Sequence, residues 1–145
     1  MSRLIIAENS DLIWLEKPAG IPVFRPHKDP AGDCLLARLL NARPEHEADF
    51  PAGFEGGILH RLDVSTSGVV LACKRPSRFP KFRALFTEKA LKKSYLFLSH
   101  RTVEWSEHTI DKALAHHKTK RKRMVVQRGE NTPHRGKWYP ASTSF

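Results

Sequence analysis

One carboxylate in this chain is set up to do chemistry. Asp63 stands in His60-Arg61-Leu62-Asp63-Val64-Ser65-Thr66-Ser67-Gly68, followed by the apolar run Val69-Val70-Leu71-Ala72-Cys73 and then Lys74. A short loop between a tight Thr-Ser-Gly turn and a buried run lets a rigid scaffold present a single reactive group. Such a carboxylate can serve as a nucleophile or as a general base. As an ordinary loop residue it would instead bond to the amides of Thr66 or Ser67. If the segment is extended, Arg61 and Asp63 point to the same side and His60 to the other. Arg61 is then open to two readings, a phosphate contact or a structural salt bridge. His60 suits hydrogen bonding behind the site better than acid-base work. No second conspicuous acid lies near Asp63, as a glycosidase pair requires, so a single-carboxylate hydrolase is a weak rival.

The elements that must position these residues read as strands and short helices. Leu4-Ile5-Ile6-Ala7 and Leu12-Ile13-Trp14-Leu15 are predicted strands around a turn at Glu8 to Asp11. Lys17-Pro18-Ala19-Gly20-Ile21-Pro22-Val23 is a fixed loop, because two prolines and a glycine forbid a helix there. Asp33 is the expected cap of a helix over residues 34–41, with Leu35, Leu36, Leu39 and Leu40 on one face. Residues 43–57 form a solvated acidic connection. Gly68 to Cys73 is a strand covered on both faces. Ser77 is the expected cap of a helix over 78–91, with Phe79, Phe82, Phe86 and Ala90 as its core stripe. Residues 92–98 are expected to open another strand. Met124-Val125-Val126 is a short strand, residues 129–138 a loop, and 141–145 the start of a strand. Together these predict an α+β fold with a mixed, mainly antiparallel sheet and flanking helices. No repeat, low-complexity tract or linker divides the 145 residues, which are read as one domain.

Charge points to the partner. Residues 1–73 hold seven Lys and Arg against ten Asp and Glu, whereas residues 74–145 hold eighteen against five. So basic a half suggests a polyanion, most often a nucleic acid. Lys118, Lys120, Arg121, Lys122 and Arg123 are five cations in six positions, suited to phosphates but not to reading sequence. A solvated tail is the plainer reading. His116 and His117 beside them suggest no metal site, since adjacent histidines point apart and no third ligand stands out. Cys34 and Cys73 form no C-x-x-C pair and read as reduced thiols of a cytoplasmic protein. No apolar stretch approaches the ~18 residues of a membrane span.

The His60 to Lys74 segment resembles the catalytic motif of the RluA-type RNA pseudouridine synthases, which carry HRLD, two variable residues, TSG, an apolar strand and a Lys. The order strand, turn, strand, Lys-Pro-x-Gly matches how their catalytic domains begin. Lys93-Ser94-Tyr95 is similar to their second motif, K-x-Y. The resemblance implies isomerisation of uridine in ribosomal or transfer RNA, with Asp63 and Tyr95 catalytic. Tyr95 would stack on the target uracil and help remove the proton from C5; read alone, a Tyr opening a strand is core. The resemblance also implies an RNA contact from Arg61, near the extruded nucleotide. His60, Lys93 and the 118–123 run are expected to join it in binding RNA, with a merely solvated side chain as the plainer reading of Lys93. It implies no metal, nucleotide or other cofactor, and no membrane partner. The family's third motif, of the form TGR-x-HQIR, supplies a basic partner for the aspartate and is not found in these residues. The resemblance thus covers the first half to two-thirds of a catalytic domain, without the small RNA-binding domain that often precedes it. This predicts a sheet open on one side, and little activity from these 145 residues alone. The alternative is a non-catalytic basic RNA-binding protein derived from such an enzyme.

Overall fold

The computed structural model describes residues 4–26, 28–50, 54–88, 90–100, 102–121 and 123–145. The fold is α+β, and every strand pairing among these residues is antiparallel. Its strands lie in three small sheets rather than one. The chain divides into two compact units, residues 1–94 and 95–145.

In the first unit, β1 (Ile5–Glu8), β2 (Leu12–Lys17) and β3 (Gly68–Cys73) form a sheet in that order. The β1–β2 turn is held by Asn9, whose Oδ1 accepts from the amides of Asp11 and Leu12 at 2.9 and 2.8 Å. Register on β2 and β3 runs from Leu12↔Cys73 to Lys17↔Gly68. Side chains alternate between faces, so Ile13, Leu15 and Lys17 share one face with Val70 and Ala72. That face meets α1 (Leu35–Ala42) through the buried Leu35 and Leu39, with Val23 and Ile58 completing the core. A second cluster packs Cys73 with Leu59, Phe50 and Phe79. β3 is covered on both faces only at its Cys73 end; Val69 near its start is 47% exposed, so the double cover expected from the apolar run does not reach the whole strand.

The helix ends differ from expectation. Cys34, not Asp33, occupies the N-cap of α1, in extended backbone, and its Sγ accepts from the Ala37 amide at 3.3 Å. Asp33 lies one residue too early to cap, and its carboxylate pairs with Arg38 at 2.6 Å. A short helix, α2 (Glu45–Asp49), and a 3-10 turn at Glu55–Gly57 lie within the stretch read as loop. α3 (Phe79–Thr87) is shorter than 78–91. Pro76–Arg78 forms a separate 3-10 turn that absorbs Ser77, so Ser77 caps nothing. After Thr87 the Ala90 amide reaches back to the Leu85 carbonyl at 3.0 Å, a wider closure that ends the helix.

The strand expected over 92–98 does not form. Leu96 and Leu98 are fully exposed, and no strand among the described residues pairs with this segment. A strand without a ladder has nothing to hold its backbone extended. In the second unit, β4 (Thr109–Asp111) pairs with β8 (Ser142–Ser144), which confirms the strand expected near 141–145. β5 (Leu114–His117) lies between β6 (Met124–Val126) and β7 (His134–Tyr139). β7 takes up the second half of the expected 129–138 loop. Its residues, HRGKWY, are too polar to show an apolar period, and Gly136 at φ +78° interrupts the alternation.

Candidate active site

Asp63 is placed by the end of the β2–β3 ladder. Lys17 is the last residue of β2 and faces the core by strand parity. It is fully buried, and its Nζ donates to the carbonyls of Pro18 at 2.9 Å, Ile21 at 2.7 Å and Val64 at 3.3 Å. All three ammonium protons thus have acceptors, as a buried charge requires. Burial pushes the Lys17 pKa down, and the Asp63 carboxylate works against that shift by favouring the charged form. The Val64 carbonyl also accepts from the Gly20 amide at 2.7 Å. Gly20 sits at φ +93°, a conformation that favours glycine, so this turn needs the residue found there. The loop after β2 therefore clamps the peptide that follows Asp63.

The approach to Asp63 is extended and tied to β3. Ile58 bridges to Ala72, and the Leu59 amide donates to the Leu71 carbonyl at 2.9 Å. Leu62 packs on the core cluster beneath. The turn after Asp63 closes through its own carbonyl, which accepts from the Thr66 amide at 3.0 Å. The Thr66 amide is therefore taken by Asp63's backbone rather than by its carboxylate. Asp63 is exposed, and with Arg61 it lines a pocket of about 310 Å³. The opposite wall is residues 22–26, including Phe24 and Arg25. This volume suits a small-ligand site.

His60 faces the other way, as the extended segment predicts. Its Nε2 accepts from the Leu71 amide at 3.1 Å, and its ring stacks on Phe86 at 4.6 Å. Burial lowers its pKa; a backbone bond at Arg61 opposes this, and the charges of Lys93 and Arg83 add to the lowering. A neutral imidazole holding a β3 amide is a support for the Asp63 segment.

The remaining expected residues do not line this pocket. Lys93 is exposed near the end of the first unit, and Tyr95, 60% exposed, opens the second. Lys118, Lys120, Arg121 and Arg123 are exposed around the β5–β6 turn, and Lys122 lies outside the described residues. His117 organises that turn: its Nδ1 accepts from the amides of Thr119 and Lys120 at 3.2 and 3.1 Å. Two residues that shape the surroundings of Asp63 were not singled out from sequence: Arg25 in the pocket wall, and Lys17 buried behind the Val64 peptide. Lys17 could have been found from its inward parity after Ile13 and Leu15. Arg25 gives no local signal, because only the fold carries residues 22–26 to Asp63.

Residues 11–143 match the family described as RNA pseudouridylate synthase. The chain belongs to this family. It is 32% identical over 127 residues to an uncharacterized RNA pseudouridine synthase of Aquifex aeolicus, covering 86% of this chain and 39% of the relative. It is 30% identical over 122 residues to ribosomal large subunit pseudouridine synthase D of Buchnera aphidicola, covering 84% of this chain and 37% of that one. The solved structure of human RNA pseudouridylate synthase domain containing 1 superposes with a TM-score of 0.72 at 20% identity, over 97% of this chain and 49% of its own. That likeness speaks for a pseudouridylate synthase fold. The chain thus spans less than half the length of these curated relatives. Among the described residues no helix is long and apolar enough to cross a membrane, and no group of three His, Cys, Asp or Glu could hold a metal.

Proposed function

We propose that this chain isomerises specific uridines in ribosomal or transfer RNA to pseudouridine, in the cytoplasm, with Asp63 as the catalytic carboxylate. The reaction breaks the bond from N1 of the base to ribose C1′, turns the base over, and joins C5 to C1′. The proton on C5 leaves and N1 gains one, so nothing is oxidised and no group is imported. Asp63 acts on the sugar, as nucleophile at C1′ or as the base that takes a proton from the ribose. The target nucleotide must leave its stack to reach the carboxylate. Arg61 and Arg25 on the same pocket supply cations for its phosphates or for the gap it leaves. Tyr95 carries the stacking and proton-removing role that the family resemblance implies, and Lys93 and the 118–123 turn hold phosphates. Lys17, through the Val64 carbonyl, and His60, through the Leu71 amide of β3, hold the segment that carries Asp63 and are positioning residues.

The observation that carries this reading is the pocket itself. Asp63 and Arg61 share it, and its wall is fixed by a buried lysine that donates to the Val64 carbonyl at 3.3 Å. The test compares pseudouridine maps of total RNA from cells carrying the intact gene and cells carrying Asp63→Asn. Loss of one or a few pseudouridines in the variant is expected. Identical maps would overturn the catalytic role and leave a non-catalytic RNA-binding protein in its place.

A further inference from the structure

The sheet β6–β5–β7 has one closed face and one open face. Register puts Met124, His116 and Arg135 in one row across the three strands, and Val126, Leu114 and Tyr139 in the next. Directly opposed residues share a face, so these six side chains stand together. Met124, Val126 and Tyr139 are 49%, 40% and 44% exposed, and His116 and Arg135 are exposed as well. Lys137 adds its ammonium 5.3 Å from the Tyr139 ring centre. The reverse face holds the fully buried Ala115 and the half-buried Val125, His117, His134 and Trp138, with the last two rings 4.2 Å apart. The usual preference is thus inverted on the open face: apolar and aromatic groups remain in water, interleaved with cations.

We propose that this open face is a stacking platform for a single-stranded segment of RNA. It deepens the RNA reading above, through residues none of which line the pocket at Asp63. Three observations decide the occupant. No Asp or Glu occurs in β5, β6 or β7, so the face is complementary to a polyanion. Residues 95–145 as a whole carry ten Lys and Arg against four Asp and Glu. The same β5–β6 hairpin ends in the cationic turn, which continues the phosphate-binding character beyond the sheet. A second copy of this chain would bring the same cations face to face, an arrangement that repels. Single strands expose base faces to Tyr139 and His116, with Arg135 and Lys137 placed for the backbone between them. A paired helix hides its base faces and meets only the cations.

The test titrates the full chain with a labelled 12-residue oligouridine and with a fully paired RNA duplex of equal length, reading fluorescence anisotropy. The oligouridine should bind more tightly. Tyr139→Leu should weaken it about five- to 150-fold, the range of one base–aromatic stack. Tyr139→Phe keeps the ring and should bind as the unaltered chain does, and neither substitution should move duplex affinity. In the unaltered chain, ultraviolet cross-linking to oligouridine should mark β5 or β7. Equal affinity for duplex and single strand, Tyr139→Leu within twofold of the unaltered chain, an equal loss in Tyr139→Phe, or adducts only elsewhere would each overturn the platform. So would sedimentation showing the unaltered chain dimeric and Tyr139→Leu monomeric. The anisotropy reads this face without catalysis, and the pseudouridine map reads Asp63, so either can fail alone.

Discussion

The Lys17 ammonium donates to the Val64 carbonyl at 3.3 Å, one residue past Asp63, from a fully buried position. The last residue of a strand thereby holds the backbone of a loop 47 positions later. The bond couples the ladder end to the carboxylate without touching it.

Lys17→Met keeps the length of the side chain and removes its donors. It leaves the Ile21 carbonyl short of a partner and frees the Val64 peptide to shift, while the Gly20 amide still reaches it. Losing hydrogen bonds to a charged group in the interior should cost roughly 2–3 kcal/mol. Urea unfolding should show a lower midpoint at an unchanged slope. The pseudouridine attributed to Asp63 should be lost or sharply reduced in cells carrying the variant.

The pH dependence near neutrality should trace to His60. Burial holds its folded pKa below 6.5, so as pH falls through that value the unfolded chain takes up a proton before the folded one does. Stability contributed by the neutral ring is present above pH 6.5 and declines as pH falls toward the lowered folded value. Glu8, Asp11 and Asp33, whose pKa values are lowered by Lys74, Arg75 and Arg38, add their own losses only nearer pH 4. Thermal unfolding at pH 7.5 and 5.5 should therefore show a smaller drop in His60→Gln than in the unaltered chain.

Arg25 and the β5–β6 turn should be separable by salt. If Arg25 meets a phosphate at the pocket, Arg25→Ala should lower the slope of log affinity against log salt by about one unit. Replacing Lys118, Lys120, Arg121 and Arg123 together by Ala should lower it by several. An Arg25→Ala slope equal to that of the unaltered chain would make it a solvated cation at the rim.

Gly68→Ala should be costly for a backbone reason. Gly68 sits at φ +144°, where an L side chain is strained, at the strand end opposite Lys17. Its added Cβ would stand 3.5 Å from Leu62 Cδ1, an ordinary contact, so the penalty is conformational rather than steric. A loss of about 1–3 kcal/mol in urea unfolding is expected.

The sequence by itself determined most of the elements of the first unit and the placing of Asp63 beside Arg61. Asp63 and Arg61 two positions apart on an extended segment must face one way, and they line one pocket. Strand β3 and helix α1 follow from apolar runs whose period is local, and local periods survive any tertiary arrangement. The α1 cap fell to Cys34 rather than Asp33 because the chain enters the helix one residue later than propensity suggests. β7 was hidden because a polar strand takes its pattern from its neighbour β5 rather than from itself. The strand expected at 92–98 failed for the converse reason, since its apolar residues have no ladder among the described residues. Only the tertiary structure brought Lys17 and Arg25 to Asp63. Those placements span some 40 residues of chain and depend on how β2 pairs with β3, a register that is set by the whole core and by no local pattern.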